Sequence, residues 1–162
     1  MRTINLTTKI SIYKIEECNN PEKLLMNAAR SATQKAYAPY SNYRVGVALL
    51  LETGIIIEGS NQENACYPAG ICAERTALFY ANSEHNGVPI IAIAITAYVS
   101  LDFTSDICSP CGICRQALLE VEERQGAPIR ILMGSKELVY AVASVKELLP
   151  LSFGKDSLMA IE

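Results

Sequence analysis

The first long apolar pattern in the chain has a helical period. Between Pro21 and Tyr37 the apolar positions Leu24, Leu25, Ala28, Ala29, Ala32 and Ala36 recur at three- and four-residue steps, the stripe of an amphipathic helix. Asn20 is placed to cap it, with Pro21 in the first turn. The loop "APYSNYR" follows. "VGVALLLE" (45–52) and "GIIIEGS" (54–60), joined at Thr53-Gly54, read as a β-hairpin. "NQENACYPAG" is a polar loop ending in a Pro-Ala-Gly turn, and Cys72 to about Ser83 is a second helix. "IIAIAITAYV", Ile90 to Val99, is apolar at nearly every position, which predicts a central strand covered on both faces. Cys111 to about Arg124 is a third helix. "PIRILMG" and "LVYAVAS" are two further strands, and "VKELLP" is a short helix. The tail "LSFGKDSLMAIE" is expected to be partly ordered.

Strands interleaved with helices predict an α/β protein, a three-layer α/β/α sandwich around a central mixed sheet of about five strands. A length of 162 residues suits a single domain over 1–162. Residues 1–20 stand apart as an N-terminal extension, whose first 15 residues either add an edge strand or lie loose.

Composition narrows the function classes. Half the residues are apolar and 19% are charged, an ordinary globular balance. The net charge is −3 and no Lys/Arg run occurs, which argues against a polynucleotide partner, since that needs a basic footprint. The longest apolar run, Val88 to Val99, falls far short of the roughly 20 residues of a membrane-spanning helix. The opening "MRTINLTTKISIYKIEE" does not read as a signal peptide. A cytoplasmic location is therefore expected, where six clustered cysteines suit metal ligation or catalysis better than disulfides.

Cys111-Gly112-Ile113-Cys114 is a C-x-x-C pair whose residues share a helix face. It fits a zinc ion, a redox dithiol or two buried small residues. Cys72 opens a second helix, where the partial positive charge of a helix N-terminus favours a thiolate. Cys72, Cys111 and Cys114 can therefore share one cation with a fourth position left open, the catalytic form of a zinc site. Cys108 is the rival fourth ligand of a closed structural site; His85, Cys18 and Cys66 sit in contexts that suggest nothing. Arg75 and Arg115 are each placed either to donate to sulfur or to lie on a solvated helix surface. Glu74 can act as acid and base beside the metal, provided Cys72 sits at or just before the first helical residue, because positions two apart on a helix do not face each other.

Cys72-Ala73-Glu74 followed by Pro110-Cys111-x-x-Cys114 resembles the zinc nucleoside and nucleobase deaminases. "APYSNYRVGVALL", "NQENACYPAGICAERTAL", "SPCGICRQAL" and "ELLPLSFG" are, in that order, similar to the short cytidine deaminase family, over roughly Tyr37 to Gly154. The resemblance implies zinc on Cys72, Cys111 and Cys114, with Glu74 as proton shuttle. It implies Asn61 and Glu63 on the ribose hydroxyl and the Ala73 backbone near the pyrimidine. Arg75 would donate to the zinc-bound thiolates. Tyr43 stands where the family usually has a phenylalanine stacked on the base, and a buried tyrosine hydroxyl needs a partner. Arg44 stands where the family more often has a smaller residue. Tyr67 and Phe153 fall in the family's subunit contacts, Phe153 completing a neighbour's site, and the one-domain length resembles the homotetrameric form. The implied reaction is hydrolytic deamination of cytidine and deoxycytidine, one zinc per subunit, in pyrimidine salvage. The alternatives are a same-fold deaminase for another substrate such as blasticidin, a non-catalytic zinc-stabilised interaction domain, and a thiol redox protein using Cys111 and Cys114.

Overall fold

The computed structural model describes residues 1–159; the last three residues of the tail, expected in part to be ordered, lie outside that range. In chain order the elements are β1 (Ser11–Lys14), α1 (Asn20–Ala32), β2 (Arg44–Leu51), β3 (Ile56–Ser60), α2 (Ala73–Glu84), β4 (Ile90–Val99), β5 (Asp102–Phe103), α3 (Gly112–Gln125), β6 (Arg130–Gly134), β7 (Leu138–Val142) and α4 (Lys155–Met159). Short 3₁₀ turns extend α1 at Thr33–Lys35 and follow β7 at Val145–Leu148. The "VKELLP" helix is thus the tighter 3₁₀ form.

The strands form one sheet in the order β1-β7-β6-β4-β2-β3, with β5 pairing β4 off that path. β4 and β6 run parallel, and the other named pairs are antiparallel. The all-apolar strand β4 lies in the middle, as its composition requires. The sheet has seven strands rather than about five. The two additions are short: β1 forms the edge and pairs four residues with β7, and β5 pairs only two with β4. Neither is long enough to show a hydrophobic period. The cap of α1 is Asn19, whose side chain accepts from the Glu22 amide at 2.9 Å, so the helix starts one residue earlier than the position of Pro21 suggests.

Side chains alternate across the pleat, and this splits the core into two layers. On one face Ala48, Ala94, Leu132, Val139 and Ala141 pack on Leu25, Met26 and Ala29 of α1. On the other, Val47, Leu49, Ile93, Ile95, Ile131 and Met133 pack on Ala77 and Leu78 of α2 and Leu118 and Leu119 of α3. The helices that carry the three clustered cysteines thus share one face. The N-terminal extension is tied down by a polar knot: Arg130 Nε donates to Glu22 Oε1 at 2.9 Å, the Tyr13 hydroxyl donates to the same oxygen at 3.1 Å, and Arg130 donates to that hydroxyl at 3.2 Å.

Two glycines let the helices close onto the sheet. A Cβ at Gly46 would meet the Ala29 carbonyl and the Thr33 amide on the α1 side. A Cβ at Gly59 would stand 2.6 Å from the Ala73 carbonyl and 2.7 Å from the Ala77 amide, against the α2 backbone. Backbone cannot rotate aside as a side chain can, so α2 would have to move bodily. Gly59→Ala is expected to lower unfolding free energy by about 1–3 kcal/mol, the overpacking range, read from the urea midpoint. A midpoint equal to wild type would show that α2 is not pinned at Gly59.

Candidate active site

Two helix starts meet at the site. Cys72 is the N-cap of α2, with φ −72° and ψ 152°, and Cys111 is the N-cap of α3, with φ −67° and ψ 167°. Both backbones are extended there, so each sulfur leaves its helix axis before the helical turn begins. Residues 72 and 74 consequently escape the restriction on helical positions two apart. Neither side chain makes a capping hydrogen bond to the backbone of its own helix, which leaves both sulfurs free to face each other. Cys114, one turn into α3, completes the group from a fully buried position.

The sulfur of Cys72 lies 3.9 Å from that of Cys111, which is 3.5 Å from that of Cys114. All three lie within 4.8 Å of one another. Zinc–sulfur bonds of about 2.3 Å at tetrahedral angles set sulfurs roughly 3.8 Å apart, so the donor set fits one zinc ion. Cys108 lies outside this group and is buried; a closed four-cysteine centre is not what these positions form. His85, Cys18 and Cys66 are likewise absent from the cluster, among the described residues.

The charges agree with the geometry. The Cys114 thiol beside it and the Arg75 guanidinium hold the Cys72 sulfur down at about 5, and Arg75 donates to that sulfur at 3.8 Å. Cys114 moves the other way, pushed up because its proton is shared with Cys72 and because it is buried. Arg115 does not serve the sulfurs: it donates to the carbonyls of Pro110 and Leu148, both at 2.8 Å, tying the α3 entry to the chain's C-terminal region. Glu74 stands in the first turn of α2 and is 5% exposed. Burial, with the Cys72 thiolate adding to it, raises its carboxyl above the usual range.

Cys72, Glu74, Arg75 and Cys111 line a cavity of about 760 Å³ that also takes in Tyr43, Asn61, Glu63, Tyr67 and the buried Ala73. Tyr43 is partly exposed; burial of its ring pushes the phenol up to about 12, and Cys108 is its neighbour. Asn61 Oδ1 accepts from the Val45 amide at 2.8 Å while its Nδ2 donates to the Tyr43 carbonyl at 2.9 Å. Glu63 is held by the amides of Tyr40 and Ser41 and by the Ser41 hydroxyl, and these donors hold its carboxyl below the usual range. Tyr67 projects at the rim, 79% exposed, edge-on to Tyr40. Phe153 lies outside this chain's cavity, exposed, its carbonyl accepting from Gln116. Arg44 starts β2 and does not line the cavity. Sequence reading passed over Tyr40 and Ser41. The available signal was the Ser-Asn pair in "YSNY", a turn-forming dipeptide beside an otherwise apolar strand.

Residues 19–125 match the family described as the cytidine and deoxycytidylate deaminase zinc-binding region. The chain is 40% identical over 131 residues to the cytidine deaminase of Halalkalibacterium halodurans, an overlap that covers 81% of this chain and 92% of that protein. It is 40% identical over 140 residues to the cytidine deaminase of Sporosarcina psychrophila, covering 85% and 93% of the two chains. The crystal structure of cytidine deaminase from Burkholderia pseudomallei superposes with a TM-score of 0.68 at 37% identity, covering 81% of this chain and 98% of that one. On the match across its central 107 residues and on the three sulfurs gathered at two helix starts, the chain belongs to the cytidine and deoxycytidylate deaminase family.

Proposed function

We propose that the protein hydrolyses the exocyclic amine of cytidine and deoxycytidine, giving uridine or deoxyuridine and ammonia, as a step of pyrimidine salvage in the cytoplasm. The observation that carries this reading is the buried Glu74 set beside three sulfurs at zinc-binding spacing, at a cavity with room for a nucleoside. Cys72, Cys111 and Cys114 would hold the zinc, which when bound supplies the Lewis acidity that makes hydroxide available near neutral pH.

The chain's own groups do the rest. Glu74 takes the proton of the attacking water and delivers it to N3 of the ring, so that C4 accepts the nucleophile. It then carries the second proton to the amino group, which leaves as ammonia. Its raised affinity for a proton suits a group that must both receive and release one. Arg75 offsets the excess negative charge of three thiolates on one dication. The Ala73 backbone borders the ring, and Tyr43 stacks on it. Asn61 and Glu63 take the sugar hydroxyl, the amide offering both donor and acceptor and the carboxylate an acceptor. Tyr67 and Phe153 are read as subunit contacts of a homotetramer, a role favoured by the 79% and 58% exposure of two large aromatic side chains.

Glu74→Gln is expected to keep its zinc and fold while turnover on cytidine falls at least about a hundredfold; near-normal turnover would reject Glu74 as the shuttle. Cys111→Ala is expected to purify with zinc well below one per chain, measured by elemental analysis, and full occupancy would reject Cys111 as a ligand. Ammonia release from cytidine, deoxycytidine and blasticidin, assayed in parallel, tests the substrate class. Preference for blasticidin would overturn the nucleoside reading. Sedimentation of the zinc-loaded protein is expected to give a four-chain species, and a monomer would reject Tyr67 and Phe153 as subunit contacts.

A further inference from the structure

The loop before β2 has a conformation that serves two parts of the cavity at once. Asn42 adopts φ +56°, and its amide donates to the Ala38 carbonyl at 3.0 Å. Asparagine is among the few residues that enter this left-handed region readily. The turn brings the Ser41 hydroxyl back under its own chain, where it accepts from the Tyr43 amide at 3.0 Å, the local hydroxyl turn that serine supports. The same hydroxyl donates its one proton to Glu63 Oε1. The Tyr40 and Ser41 amides donate to Glu63 Oε2 at 2.9 and 3.3 Å.

A carboxylate has about four acceptor positions. Three are taken by this loop, so one remains for a group in the cavity. Among the described residues Ser41 is the single side chain hydrogen-bonded to Glu63, and its oxygen is also the partner of the Tyr43 backbone. From this geometry we infer that Ser41 is a positioning residue: it fixes Glu63 as a one-site acceptor for a nucleoside 3'-hydroxyl and couples that acceptor to the placement of the Tyr43 ring. The inference rests on the reading of Glu63 as a sugar contact. Without the hydroxyl, Glu63 can swing about its remaining amide contacts, and the Tyr43 amide loses its partner.

The test is steady-state kinetics of zinc-loaded wild type, Ser41→Ala, Ser41→Thr and Glu63→Gln on cytidine and 3'-deoxycytidine, with melting temperatures recorded alongside. Ser41→Ala is expected to raise KM for cytidine about tenfold, the scale of one lost hydrogen bond to a charged group, with kcat within about twofold. Ser41→Thr, which restores a hydroxyl, is expected to return KM toward wild type. On 3'-deoxycytidine, which lacks the hydroxyl that Glu63 would accept from, Ser41→Ala is expected to raise KM clearly less than on cytidine, the remainder coming through the Tyr43 placement. Two results would overturn the role of Ser41 while leaving the sugar contact standing. One is a Ser41→Ala enzyme with wild-type KM when Glu63→Gln raises it; the other is an equal rise on both substrates, which marks general loosening of the loop. Unchanged KM for cytidine in Glu63→Gln would instead remove the sugar contact itself, and the inference with it.

Discussion

Everything at the site depends on two helices beginning at one point in space. A helix start leaves its first N–H groups unpaired and carries a partial positive charge. Most chains satisfy that end with an oxygen-bearing cap. Here both caps are cysteines in extended geometry, and neither side chain caps the backbone N–H groups of its own helix. Two partial positive ends facing each other would repel. Three sulfurs between them, drawing negative charge, reverse the sign of that interaction, and Arg75 from the same turn of α2 adds a full positive charge at 3.8 Å. Metal affinity and the mutual placement of α2 and α3 are therefore one property seen from two sides.

The sheet makes that placement possible. α2 and α3 lie on the same face, above Val47, Leu49, Ile93 and Ile95, while α1 covers the other face alone. Gly59 allows the first turns of α2 to rest against β3, at the turn that carries Ala73 and Glu74. Farther along, the buried carboxylate of Glu122 on α3 accepts from the amides of Ile129 and Val145, at 2.8 and 2.9 Å, and from the Ser144 hydroxyl at 2.5 Å. One helix is thus held by close backbone approach and the other by a satisfied buried charge. Neither device uses a sulfur atom, one acting on backbone beside Cys72 and the other farther along α3, so the ligands are oriented by the fold and not only by the ion.

The elements with a long hydrophobic period could be read from the chain directly: α1, the β2–β3 hairpin and β4 all follow from spacing. What could not be read was short or non-periodic. β5 earns its place in the sheet through pairing with β4, and two residues leave no pattern to find; β1, at the sheet edge beside β7, is one of the two expectations for the first 15 residues, and its four residues carry no period that decides between them. At the site, C-x-x-C and a cysteine before a helix gave the sulfur cluster, because a cap position is a local property. Which arginine would face the sulfurs was not local: Arg75 and Arg115 hold equivalent sequence positions after a ligand-bearing stretch, yet Arg115 reaches carbonyls 5 and 33 residues away. Ser41 was illegible for a related reason, since its partner Glu63 lies 22 residues on and meets it only because Asn42 turns the chain through a positive φ.

The cavity holds two glutamates whose surroundings push them in opposite directions. Glu74 is buried with a thiolate nearby, so its charged form is disfavoured and a proton stays within reach. Glu63 is exposed and met by three donors, so its charged form is favoured and it is fixed as an acceptor. In the proposed reaction one residue type would thereby do two jobs: moving protons where the bond to nitrogen breaks, and reading a hydroxyl where nothing reacts. Exchanging the two environments would spoil both, since a mobile, readily protonated carboxyl is a poor fixed acceptor and a triply bonded carboxylate is a poor base. Separation of the two along the cavity follows from their elements, Glu74 riding on α2 at the sulfurs and Glu63 in the loop after β3 facing the Tyr40–Tyr43 turn. In the proposed function that difference in local charge preference would orient a nucleoside, amine toward the sulfurs and sugar toward the loop.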